Sequence, residues 1–257
     1  KVFDFSLGNP VLPPPEKFNE ILRDTVDSCG LGDHCYMPQA GYPQVCVSIA
    51  EYLTKEQGVA ISCDEIIMTC GAAGALNVIF KALLDPGDEV LTPSPCFVEY
   101  RFYADNHGGV LKMVGTRPDF TLDLDALGDA MTEKTKVVLI NSPNNPTGQI
   151  YSKSSLDALG KLLAEKSRDF GHIIYLVSDE PYRKIVFDDA QVPSIFQSYH
   201  QSIIATSYSK DISIPGERIG FVAVNPHATY RNDLLAAMAV ANRILGYVNA
   251  PALMQRV

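Results

Sequence analysis

The chain has no tryptophan, and its five histidines are scattered over 257 residues. No His-Glu-x-x-His or similar ligand spacing occurs, so no structural or catalytic metal is expected. The six cysteines, at 29, 35, 46, 63, 70 and 96, include no Cys-x-x-Cys pair. They lie in apolar or ordinary stretches and read as free thiols of a reducing, cytoplasmic compartment. No cluster of Lys and Arg is present and the net charge is −9. Nucleic acid is therefore excluded as a partner, because its binding needs basic patches that release counterions. Apolar runs are too short for a membrane span. The first residues, Lys1-Val2-Phe3-Asp4-Phe5-Ser6, lack the apolar stretch of a secretory signal and an initiator Met. The end, Pro251 to Val257, stops inside what reads as an apolar helix. Both termini are expected to be trimmed from a longer protein.

What is present suits a folded domain. Hydrophobic residues make up 46% and charged residues 20%, enough for one large core and too apolar for disorder. Residues 1–40 read as irregular around Leu12-Pro13-Pro14-Pro15, with a helix over 16–28. A helix follows over about 41–52. Short apolar runs then alternate with helical periods. Strands are expected at 66–70, 89–92, 110–114, 136–141, 173–178, 203–205 and 219–224. Helices are expected at 72–84, 95–106, 122–131 and 152–168, with a long one from about 229. Such alternation implies crossover connections and a mainly parallel sheet covered on both faces. Ligands bind such sheets outside the carboxyl ends of the strands. Four polar segments fall at those ends: Gly71-Ala72-Ala73, Asn144 to Gly148, Asp179, and Ser207 to Lys210.

Each segment has a chemical reading and a plainer one. Lys210, just past a strand, becomes a nucleophile if partly desolvated; otherwise it is a solvated loop lysine. Arg218 and Ser207 suit a phosphate, or Arg218 forms a surface ion pair. Gly71-Ala72-Ala73-Gly74 exposes helix N–H groups to an anion, or simply makes a tight turn. Asp179 can hold a proton on a heterocyclic nitrogen, or cap a turn. Tyr182 points a phenol into the same space, or packs. Asn145 hydrogen-bonds a ligand oxygen, or serves the Asn-Pro-x-Gly turn. Phe97 stacks on a flat cofactor, or joins the core.

Taken jointly, these residues resemble the class I/II aminotransferases of pyridoxal-phosphate (PLP) fold type I, the aspartate aminotransferase superfamily. The likeness runs from Phe5-Ser6-Leu7-Gly8-Asn9-Pro10 to Ile219-Gly220. It rests above all on Ser-x-Ser-Lys210 followed by Gly-x-Arg218-Ile-Gly, on Asn-Asn145-Pro-Thr-Gly, and on Ser-Asp179-Glu-Pro-Tyr182. The resemblance implies a three-layer α/β/α large domain with a mainly parallel mixed sheet over residues 41–257. It places residues 1–40 in the small domain or interdomain region and a C-terminal small domain outside this chain. It implies that Lys210 forms the Schiff base and moves the proton, and that Asp179 partners the pyridine nitrogen. Tyr182 and Asn145 would donate to the ring oxygen, with Asn145 also touching substrate. Phe97 would stack on the ring; Gly71, Ala72, Ala73, Ser207 and Arg218 would form the phosphate cup. Tyr36 would reach the neighbouring subunit's phosphate in a homodimer with shared sites, and the Gly8 backbone would contact substrate carboxylate. The implied activity is exchange of an amino group between an L-amino acid and a 2-oxo acid. A PLP-dependent C–S lyase and the PLP-binding sensor domain of a transcription regulator are the alternatives on the same scaffold.

Overall fold

A computed structural model describes residues 8–257; Phe5, Ser6 and Leu7 of the first motif lie outside the described residues. In chain order the elements are α1 (Glu16–Asp27), α2 (Pro43–Gln57), β1 (Ile66–Thr69), α3 (Gly71–Leu83), β2 (Glu89–Ser94), α4 (Tyr100–Asp105), β3 (Val110–Gly115), α5 (Leu124–Ala130), β4 (Thr135–Asn141), α6 (Lys153–Phe170), β5 (Tyr175–Asp179), α7 (Ile195–Ser198), β6 (Ser202–Ser207), β7 (Gly220–Val224), α8 (Arg231–Ile244) and α9 (Ala252–Arg256). The seven strands form one sheet in the order β1-β7-β6-β5-β4-β2-β3. All neighbours pair parallel except β7, which runs antiparallel to both β1 and β6.

The sheet separates two apolar cores, and the two-residue period of a strand explains how one sheet serves both. In β4, Val138 and Ile140 join the core under α2, α5, α6 and α7. Val137 and Leu139 join the other, under α3, α4 and α8. Strands buried on both faces read as continuous apolar runs, as expected for parallel pairing beneath helices. Local chemistry sets the helix ends. The Ser152 hydroxyl accepts from the Ser155 N–H at 3.1 Å and opens α6; Gly171, at φ 72°, closes it in the left-handed conformation. Between them Leu156, Leu159, Gly160 and Leu163 form the buried stripe.

The expected elements are found, with different bounds. The helix expected from Pro95 begins only at Tyr100, because β2 continues through Pro93 to Ser94 and the next turn intervenes. Helix α2 runs five residues beyond Tyr52 to Gln57, where Gly58 stops it at φ 64°. The long terminal helix is broken at Gly246 to Pro251, and α9 starts afresh. The four-residue α7 is too short for a periodic signal.

Candidate active site

The carboxyl ends of β1, β4, β5 and β6 lie at one rim of the sheet. Because β7 is reversed, the turn before it reaches that rim as well. There Ala72, Ala73, Phe97, Asn145, Asp179, Tyr182, Ser207, Lys210 and Arg218 line one cavity of about 280 Å³. Nine of the residues named from the sequence are thus brought together.

Asp179 ends β5 and is almost fully buried. Its Oδ2 accepts from the Tyr100 hydroxyl at 2.7 Å, while its Oδ1 is buried with no partner. An unsatisfied buried acceptor costs about 1–3 kcal/mol. Burial pushes the carboxyl up to about 7; the Tyr100 hydrogen bond opposes this and the neighbouring Glu180 charge adds to it. Glu180 itself faces away, held by Arg183 at 3.1 Å, which also binds Glu56 at 2.9 Å.

Burial pulls the Lys210 amine below the ordinary lysine value, which raises the fraction able to act as a nucleophile. The amine donates to the Gly8 carbonyl at 2.5 Å. This contact brings Gly8, 202 residues away in sequence, to the same site. Burial also raises the Tyr182 phenol; the Asp179 charge adds to this, and a hydrogen bond with Asn145 opposes it.

Arg218 sits in the left-handed conformation, φ 53°, and donates to the Pro215 carbonyl at 2.9 Å. It forms no ion pair among the described residues, so the surface salt bridge that its isolated reading allowed is not what the structure contains. Gly71 opens α3 at φ 70°, and a Cβ there would lie 3.0 Å from Arg218 Nη2. The missing side chain is therefore what lets the guanidinium lie across the start of α3. The Ser207 hydroxyl is buried and donates to Ser209 Oγ at 3.1 Å.

Tyr36 does not line this cavity; it is 88% exposed on the approach to α2. Several lining residues were not singled out from the sequence: Tyr100, Tyr103, Glu99, Asn141 and Ser209. A signal for Tyr100 existed. It follows Phe97 by three residues across the turn that leads into α4, and the two rings meet edge to face at 5.6 Å.

The donor set fits PLP. A buried carboxylate oxygen without a partner suits a protonated ring nitrogen, and a guanidinium free of carboxylates beside exposed helix N–H groups suits a phosphate. A mixed sheet with β7 reversed, carrying this lysine, carboxylate and guanidinium at one rim, is the fold of the aspartate aminotransferases. An amino transferase of solved structure from Eubacterium rectale superposes with a TM-score of 0.96 at 40% identity, over 99% of this chain and 65% of that one. A tetra mutant of Thermus thermophilus aspartate aminotransferase superposes with a TM-score of 0.86 at 32% identity, over 97% and 65%. By sequence, the chain is 34% identical to a probable aspartate aminotransferase of Methanocaldococcus jannaschii over 91% of its own length and 60% of that protein. It is 35% identical to the aspartate/prephenate aminotransferase of Thermus thermophilus over 83% and 54%. The family model described as aminotransferase class I and II matches residues 1–257, and the chain belongs to that family, whose members use PLP. It spans 60% and 54% of the lengths of those two curated relatives.

Proposed function

We propose that this protein is a PLP-dependent aminotransferase exchanging an amino group between an L-amino acid and a 2-oxo acid. The observation that carries the reading is the buried, partnerless Asp179 Oδ1 in the cavity that Lys210 and Arg218 share. When bound, PLP supplies a reactive carbonyl and a ring that draws electrons from the substrate Cα. Asp179 Oδ1 would accept a hydrogen bond from the protonated ring nitrogen and so keep the proton there. Asn145 and Tyr182 would donate to the ring oxygen and help orient the cofactor. Arg218, the Ser207 hydroxyl and the backbone N–H groups of Gly71, Ala72 and Ala73 bind the phosphate. Phe97 covers one ring face. Lys210 would hold the cofactor through its amine, and its free amine would serve as the base for the substrate Cα proton. The Gly8 backbone, brought to the site by its carbonyl's bond to that amine, would offer its N–H to the substrate carboxylate.

Residues 41–257 are read as the PLP-binding large domain and 1–40 as the segment toward the small domain. The exposed Tyr36 is assigned to the phosphate of a second subunit in a homodimer, and the six unpaired cysteines favour a cytoplasmic setting. Every relative named above is an aminotransferase, which favours amino-group transfer over C–S cleavage. The test is Lys210→Ala in the purified protein. It should abolish both the visible absorption of bound PLP and transfer from an amino-acid panel to 2-oxo acids. Retained turnover, or release of ammonia and pyruvate by the unaltered protein in place of transfer, would overturn the reading.

A further inference from the structure

Asn141, the last residue of β4, is 3% exposed and is used by neither the phosphate cup nor the ring contacts proposed above. Its Nδ2 donates to the Asp179 carbonyl at 2.8 Å, and its Oδ1 accepts from the Asn145 N–H at 2.6 Å. One partner only accepts and the other only donates, so the amide has a single satisfied orientation. The sheet register places Asn141 directly opposite Asp179, and Asn145 follows four residues later in the loop after β4. One buried side chain therefore ties the end of β5 to the turn after β4. These are the two backbone segments that carry the proposed contacts at the nitrogen and oxygen of one ring.

The geometry points to Asn141 as a positioning residue: its amide fixes the spacing between Asp179 and Asn145, so that both meet the same flat heterocycle. This rests on the proposed PLP reading. Both ends of the tie act on backbone atoms, so Asn141 sets where the two side chains start without touching the ring. A small misplacement of such contacts is enough to weaken binding and orientation severely.

The test measures PLP dissociation constant, the pH midpoint of the bound cofactor's visible band, and melting temperature for four proteins: unaltered, Asn141→Ala, Asn145→Ala, and the double variant. Asn141→Ala should loosen PLP about tenfold and raise the pH midpoint, because a retreating Asn145 no longer stabilises negative charge on the ring oxygen. The double variant should lose less than the product of the two single losses, since Asn141 acts in part through Asn145. Asn141→Asp is nearly isosteric and keeps the acceptor for Asn145. It should fold even if the alanine variant does not, and should still loosen PLP at least threefold. A folded Asn141 variant with unaltered affinity and pH midpoint, whatever its melting temperature, overturns the inference and leaves the PLP reading standing. If the unaltered protein takes up no PLP, both fall together.

Discussion

Two carboxylates of this molecule expose similarly little surface and behave oppositely. Glu89 opens β2 and is 7% exposed; Asp179 closes β5 and is 6% exposed. Glu89 has the Lys112 ammonium at 2.6 Å and the hydroxyls of Thr132 and Thr135 at 2.7 and 3.3 Å. Burial works against its charge, but these hydrogen bonds and the lysine win, and its carboxyl titrates below the usual range. Asp179 has one hydroxyl and one bare oxygen, and burial wins, lifting it to about 7. Low surface exposure alone does not set acidity: Asp179 lies deeper and has fewer partners, and both push its carboxyl up. The amino end of the sheet is finished by its own residues, whereas the carboxyl end has a place for something else.

The sharpest way to break this contrast is to neutralise each carboxylate in turn. Asp179→Asn should reduce turnover by about two to four orders of magnitude, the range for a lost acid–base or electrostatic contact. The cofactor-free protein should melt no lower than before, because a starved charge has been removed. Glu89→Gln should do the reverse, leaving turnover per folded molecule unchanged. Its stability loss should be about 1–2 kcal/mol, below that of a fully buried pair because the Lys112 side chain is 36% exposed. Melting curves would register this as roughly 2–4 °C per kcal/mol.

Acidity sharpens the comparison further. The Asp179 pKa is raised on folding, so its contribution to stability is full below about pH 4 and is lost as pH rises through about 7. The Glu89 pKa is lowered, so its contribution is full above about pH 4.5 and is lost as pH falls. Thermal melts of the cofactor-free protein across pH 3–9 should therefore change slope in one window for Asp179→Asn and in the other for Glu89→Gln. The smallest effect belongs to Tyr100→Phe. Removing the phenol that restrains Asp179 should move its titration upward from about 7, readable as a shifted pH dependence of PLP uptake.

Much of this was legible in the sequence, and the reasons are specific. Strands such as β4 and β7 are buried on both faces and announce themselves as unbroken apolar runs. Lys210, Asp179 and Asn145 stand next to strand ends, where chemistry concentrates. The family resemblance implies that Gly71 and Arg218 share a phosphate cup, but the contact itself depends on the sheet bringing β1 beside β7. Tyr100 and Asn141 were missed for a related reason. Each looks like a core or turn residue in one dimension, and its value appears only when another strand supplies its partner. The Asp179 carbonyl is 38 residues from the Asn141 amide. By sequence the strand is expected to end at Thr92 and the helix to open at Pro95, whereas β2 runs on through Pro93 to Ser94 and α4 starts at Tyr100.

One reversed strand has a mechanical corollary. Because β7 turns back beside β6, a single loop between Ser207 and Gly220 bears both Lys210 and Arg218. Under the proposed assignment, the cofactor's covalent tether and its ionic clamp are mounted on one bracket. They cannot drift apart without unzipping the edge that joins these two strands. A residue inserted into that bracket would misalign both fastenings at once, whereas an equal insertion in the turn after β3 would leave them in register.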